Sequence, residues 1–352
     1  MDQTVSPPRR LPPRRIAAVA IAVVLVGGAA AAAAVYLGRP PDPGIAVASP
    51  TSTPTPTPRP TPTRRPSPSP TPSPSPSPSP TKAPSPILGA DGRLTVLLLG
   101  SDYRPAHPGN RTDVIMVVSL DPTTGAVAAA SIPRDTVNFP TSSRATYRAK
   151  VNGLYQSLIG RLGQTKAARE MKRIIGDGIG VEVDSYAVVG FEGVRQLVNA
   201  VGGVDVVLPK AVNDPYYWVT SKKRGVFFPA GRNHLTGDRA LIFARTRKGD
   251  NDFERARRQQ LLVAGAVEAV RDRGLSKLPK LLSIAGRYVK TDLPLKSAPE
   301  LFAIVAKADL GHAQRVVFGP TKWASGGSGS SFSLKIDVVR SWTAEWMAPV
   351  GG

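Results

Sequence analysis

Carboxylates and guanidinium groups recur in this sequence where apolar runs begin or end. The run LTVLLL at 94–99 leads into Gly100-Ser101-Asp102-Tyr103-Arg104, and the run VIMVVSL at 114–120 is preceded by Arg111-Thr112-Asp113. A third run closes on Ile132-Pro133-Arg134-Asp135, and Lys150-Val151-Asn152 adds a cation and an amide at the start of a helical pattern. The densest stretch, 243–260, contains Arg245, Arg247, Asp250, Asp252, Arg255, Arg258 and Gln259. Asp252 is expected as the N-cap of a helix on which 252, 255 and 259 share one face. Helix N-termini attract anions, and arginine forks match phosphate oxygens. Taken singly, each of these residues also fits turn capping or an edge ion pair. Together, several aspartates and arginines describe a site for Mg²⁺ and a pyrophosphate: carboxylate oxygens suit the hard ion, and guanidinium groups neutralise charge on a transferring phosphoryl group.

Other chemistries lack their residues. There is no cysteine, so thiolate metal sites and cysteine nucleophiles are excluded. The three histidines, His107, His234 and His312, are far apart and show no zinc-ligand spacing. Neither the Gly-rich Lys-Ser/Thr loop of nucleotide sites nor the G-x-S-x-G turn of hydrolases occurs.

The elements that must position these residues alternate in type. Strand signals lie at 94–99, 114–120, 126–132, 185–189, 204–208 and 315–318, several of them continuously apolar, as in strands covered on both faces. Helical patterns lie at 151–160, 165–175, 191–201, 237–245, 252–273 and 298–308. This interleaving predicts an α/β fold, a three-layer α/β/α domain. The short link Asp121-Pro122-Thr123-Thr124-Gly125 reads as a hairpin, so the central sheet should be mixed. Asp102 would then stand at the carboxyl end of a buried strand, where open α/β sheets bind ligands.

The chain before this domain has a different composition. Residues 16–37 form one uncharged apolar run, long enough to cross a bilayer. Four arginines precede it and Arg39 alone follows closely, which places residues 1–15 in the cytoplasm and the rest outside. The run exceeds a usual signal-peptide core, so a retained anchor is expected over a cleaved leader. Residues 38–87 form a linker rich in proline, serine and threonine, and its proline-dominated part, 40–86, predicts a stalk of roughly 140 Å when fully extended. The catalytic domain is expected over 88–320, with 321–352 as a C-terminal extension. Residues before Ile87 carry 9 basic and 2 acidic side chains, which leaves a net charge of +14 on the remainder. An exported basic domain favours anionic lipids, pyrophosphates or glycans over nucleic acid.

The motifs at 98–104, 111–113, 131–135 and 150–152 resemble those of the LytR-CpsA-Psr family of cell-wall ligases. So do Val201-Gly202-Gly203-Val204, Leu235-Thr236-Gly237-Asp238-Arg239-Ala240-Leu241 and the segment 245–260. The resemblance, in order and spacing, spans about 94–270. It implies a membrane-anchored enzyme that moves a glycan phosphate from a polyprenyl pyrophosphate carrier to a peptidoglycan hydroxyl and releases polyprenyl phosphate. It further implies that Asp102 and Asp113 hold Mg²⁺ and that Arg111, Arg134, Arg245 and Arg247 grip the pyrophosphate. Arg255, Arg258 and Gln259 would complete the pocket, Lys150 would be a further contact, and Asp113 or Asp252 would accept the proton of the attacking hydroxyl. An apolar groove for the prenyl chain, lined from 252–282, is also implied. Glu254 departs from the family pattern, where glycine is common. Hydrolysis of the same lipid, or its binding without turnover, remain alternatives.

Overall fold

In the computed structural model the first apolar run becomes β1 (Leu94–Ser101), whose side chains alternate between two cores. Leu94, Val96 and Leu98 enter one core, and Leu97 and Leu99 enter the other. This is the consequence of side chains pointing to opposite faces of a strand that is buried on both sides. The structure describes residues 85, 87–103, 109–248, 250–294, 297–320, 322–326 and 331–350. The expected anchor and all but the last few positions of the expected stalk lie outside these residues, as does Arg104. Among the described residues no helix is long and apolar enough to cross a membrane.

Five further strands complete the central sheet: β2 (Thr112–Leu120), β3 (Ala126–Ser131), β4 (Ser185–Gly190), β5 (Val289–Thr291) and β6 (Asp309–Val317). Their order is β5-β4-β1-β2-β3-β6. β1 pairs antiparallel with β2 and parallel with β4, while β3 pairs antiparallel with β2 and parallel with β6. The sheet is therefore mixed, and β1, β3, β4 and β6 all end on one edge. The hairpin expected at 121–125 joins β2 to β3. Asp121 fixes it by accepting the amides of Thr123 and Thr124 at 2.7 and 3.2 Å.

Helices cover both faces. Helices α1 (Leu154–Leu162) and α2 (Gln164–Ile179) supply Leu158, Met171 and Ile175 to the core of Leu97 and Leu99. Helices α3 (Phe191–Ala200), α4 (Gly237–Arg245) and α5 (Asp252–Arg273) bury Leu197, Phe243, Leu262 and Val267 in the opposite core. α6 (Leu278–Tyr288) and α7 (Ala298–Ala306) extend that same layer. Neither α6 nor the final helix, α8 (Ile336–Trp346), is among the expected helical patterns. Residues beyond 320 nonetheless join a core: Phe332, Leu334, Val339 and Met347 pack with Leu97 and Leu99.

One strand departs from expectation. Residues 204–208 do not enter the central sheet but pair with Gly231–Leu235 in a separate ribbon. A second ribbon, Val212–Trp218 with Arg224–Phe228, is inserted in the chain between the two strands of the first, and Gly231–Leu235 then leads into α4.

Candidate active site

The shared edge of β1, β3 and β4 gathers the charged motifs. Asp102 follows β1, Arg134 and Asp135 follow β3, and Phe191 follows β4, while Asp113 stands at the start of the antiparallel β2. Asp113 is set by an irregularity in the ladder. Gly100 pairs with Val114 and Ser101 with Thr112, so Asp113 is the extra residue of a β-bulge. Such bulges re-aim a side chain beside a site. Gly100 is required there, since a Cβ at this position would lie 2.7 Å from the Val114 side chain.

A cavity of about 340 Å³ opens on this edge. One part of its lining is apolar and includes Leu98, Met116, Val194, Leu197, Leu262 and Ala266. Its polar part carries Asp102, Asp113, Arg134, Arg245, Arg247, Arg255 and Gln259. A second cavity of about 490 Å³ shares Asp113, Arg134, Arg255 and Gln259 as a common wall. Its remaining lining includes Asp135, Asn251, Asp252, Phe253 and, from the C-terminal region, Ser325, Ser331 and Phe332.

Arg134 is the hub of that wall. Its Nη1 donates to both oxygens of Asp113 at 3.2 Å, and its Nε lies 3.4 Å from Asp252 and 3.8 Å from Asp135. Burial alone would make this guanidinium less basic. The carboxylates of Asp113, Asp252 and Asp135 outweigh it and hold the group above the usual arginine range. Asp135 is pulled the other way: burial would raise it, but a 2.6 Å bond from Lys150 and the charge of Arg134 keep it below the usual carboxylate range. Asn152 donates to Asp113 at 3.3 Å.

Arg255 is buried, pairs with Asp252 at 3.2 Å, and has a buried Nε without a hydrogen-bond partner. Burial lowers its pKa; Asp252 and Asp113 raise it, while Arg134 and Arg247 lower it. An anion arriving here would find a desolvated cation with a free donor. Helix α5 presents Asp252, Arg255 and Gln259 on the expected face, but the cap differs from expectation. Asn251 is the cap, accepting the amides of Phe253 and Glu254 at 3.0 Å each. That leaves the Asp252 carboxylate to the two arginines.

Other expected residues take different places. The side chain of Arg245 lines the first cavity with its guanidinium carbon 4.6 Å from the centre of the Phe191 ring, and Arg247 lines it as an exposed cation. Gln259 binds the Ala244 carbonyl at 3.0 Å. Arg258 does not line these two cavities. It pins the α4–α5 connection, donating to the carbonyls of Phe243 and Thr246 and pairing with Asp250. Arg111 reaches Asp102 through its amide at 2.7 Å, and its side chain lines neither cavity. Lys150 acts on the site through Asp135.

Asp214 was not foreseen. This buried carboxylate accepts the Thr246 hydroxyl at 2.5 Å and the amides of Arg247 and Lys248 at 3.2 and 3.0 Å. Burial would raise its pKa, and these bonds hold it below the carboxylate range. It fixes the backbone that carries Arg247. Its sequence context, Asn213-Asp214-Pro215, reads only as a turn.

Asp102 and Asp113 line one cavity, and among the described residues no group of three or more acidic or histidine side chains could cage a metal. Two carboxylates beside an anion pocket fit Mg²⁺, which is usually bound through one or two carboxylates with substrate phosphates completing its shell.

Known proteins resemble this chain in sequence and in fold. The chain is 28% identical over 203 residues to the polyisoprenyl-teichoic acid–peptidoglycan teichoic acid transferase TagV of Bacillus subtilis, covering 56% of this chain and 49% of TagV. It is 34% identical over 203 residues to the corresponding transferase TagU of Bacillus anthracis, covering 57% and 60%. It is 30% identical over 256 residues to the cell wall biosynthesis protein LcpA of Corynebacterium glutamicum, covering 62% and 48%. The chain thus spans about half to three fifths of these relatives. The crystal structure of B. subtilis TagV superposes with a TM-score of 0.58 at 25% identity, covering 73% of this chain and 98% of that one. TagT bound to LIIa-WTA shares the fold, with a TM-score of 0.56 at 22% identity and 74% and 92% coverage. The LytR_cpsA_psr family model matches residues 69–320, and the chain belongs to that family.

Proposed function

We propose that the protein transfers a phosphate-linked glycan from a polyprenyl pyrophosphate carrier to a hydroxyl of peptidoglycan. The observation that carries this reading is the junction of an apolar cavity with a wall of arginines and carboxylates. A prenyl chain is suited to the lining of Leu98, Met116, Leu197 and Leu262, and its diphosphate to Arg134, Arg245, Arg247 and Arg255. Arg111, Arg258, Gln259 and Lys150 support the pocket: Arg111 through its amide on Asp102, Arg258 and Gln259 through the backbone carbonyls they hold, and Lys150 through Asp135. The acceptor hydroxyl attacks the phosphorus bonded to the glycan, the anhydride P–O bond breaks, and polyprenyl phosphate departs. The hydroxyl proton passes to Asp113 or Asp252, the carboxylates nearest Arg134. Asp102 and Asp113 would hold Mg²⁺, which when bound neutralises charge on the phosphates. The expected cytoplasmic tail (1–15), anchor (16–37) and stalk (38–87) would present domain 88–320 and its extension 321–352 at the outer face of a cell membrane.

Purified full-length protein, a polyprenyl pyrophosphate glycan, Mg²⁺ and peptidoglycan should yield wall-bound glycan and lipid monophosphate in equal amounts. Chelation should stop both. Lipid monophosphate without wall-bound glycan would show a hydrolase, and intact bound lipid would show a carrier-binding protein; either contradicts the proposal.

A further inference from the structure

The ribbon of Val212–Trp218 and Arg224–Phe228 carries side chains that its fold does not use. Tyr216, Trp218 and Phe227 are 57%, 61% and 55% exposed, three of the six large hydrophobic residues exposed among the described residues. Lys222, Lys223 and Arg224 stand in a row at the tip, all exposed, and the ribbon's one acid, Asp214, is buried at its base. The tip is ordered. The Thr220 hydroxyl accepts the amides of Lys222 and Lys223 at 3.2 and 3.0 Å. Gly225, at φ +91°, occupies an irregularity between Arg224 and Val226 that sets Arg224 opposite Trp218.

We infer that this ribbon docks on the anionic headgroup layer of a lipid bilayer. Amphipathic rings beside cations are the composition found at membrane interfaces, and clustered Lys and Arg are drawn to anionic lipid. A saccharide would need open ring faces to stack on. Here the Arg224 guanidinium lies 4.9 Å from the Tyr216 ring centre and 5.4 Å from that of Trp218, occupying a face of each. The net charge of +14 beyond residue 86 favours the same partner. Because Asp214 ties the ribbon to the segment carrying Arg247, docking and the anion pocket share one rigid connection. The inference is independent of the transferase reading.

The test is full-length protein in nanodiscs of phosphatidylcholine alone or with phosphatidylglycerol, both free of substrate. Trp218 emission, taken as the difference from Trp218→Phe, should shift to the blue in the anionic discs. Amides of 216–224 should exchange at least several-fold more slowly there. High salt, or the triple change Lys222→Gln, Lys223→Gln and Arg224→Gln, should abolish both effects. Identical emission and exchange in the two kinds of disc would overturn the inference without recourse to any variant. Protection that appears only on adding peptidoglycan fragments would assign the ribbon to glycan instead. Neither result would alter the transfer assay.

Discussion

Arg134 meets three carboxylates within 3.2–3.8 Å, so its charge is already well compensated before any substrate binds. Arg247 is its opposite: exposed, lining the same cavity, with its guanidinium paired to no carboxylate among the described residues. The two should therefore fail differently. Arg247→Ala should cut lipid monophosphate release by ~100-fold or more, as removal of one transition-state donor does elsewhere. Its thermal unfolding should stay within ~0.5 kcal/mol of the parent, as for exposed positions. Arg134→Ala should lose activity and also unfold at lower temperature, because Asp113, Asp135 and Asp252 would lose the cation they share, leaving, among the described residues, Lys150 to Asp135, Arg255 to Asp252 and only the Asn152 amide to Asp113. Equal stability of the two variants would contradict this division. Most residues of the wall could be read from the sequence because unlike charge at the end of an apolar run has few structural explanations. Asp214 could not, since its role is to accept backbone amides 33 and 34 residues away. Arg258 carried the right chemistry but is taken up by the Phe243 and Thr246 carbonyls and Asp250, partners that composition does not encode.

At the scale of elements, the ends decide the chemistry. Asn251 caps α5 and frees Asp252 for Arg134 and Arg255. Asn251→Ala should cost about 1 kcal/mol of stability, measured by denaturant unfolding. No change would show that the cap is not needed. At the opposite edge of the sheet, Asp184 accepts the Thr95 amide at 2.7 Å. Burial pushes its pKa up from 3.8 to about 7, despite that bond. The native state then holds a proton, between about pH 4 and 7, that the unfolded chain has lost. This contribution is present in full below about pH 4 and is lost as pH rises through 7. Asp184→Asn cannot ionise, so the fall in stability between about pH 4 and 7 should be smaller in this variant. An unchanged profile would show that the group does not titrate in this range. Strand and helix cores at 94–99, 114–120 and 252–273 were legible because their patterns run long. The bulge at Asp113 and the separate ribbon at 204–208 were not, since both depend on pairing with distant partners.

For the whole molecule, the central fact is two cavities meeting at one wall, one largely apolar and one lined partly by the C-terminal region. The mixed sheet followed from the short 121–125 link. The contribution of 320–350 carried no motif, because short apolar positions such as Phe332 and Val339 acquire meaning only against the core already formed by Leu97 and Leu99. The most direct test is a crystal structure of the protein with a short-chain polyprenyl pyrophosphate and Mn²⁺ in place of Mg²⁺. The account predicts the prenyl chain among Leu98, Met116 and Leu262, phosphate oxygens on Arg134, Arg247 and Arg255, and the anomalous metal peak at Asp102 and Asp113. A diphosphate bound away from that wall, or a metal held by neither aspartate, would contradict it.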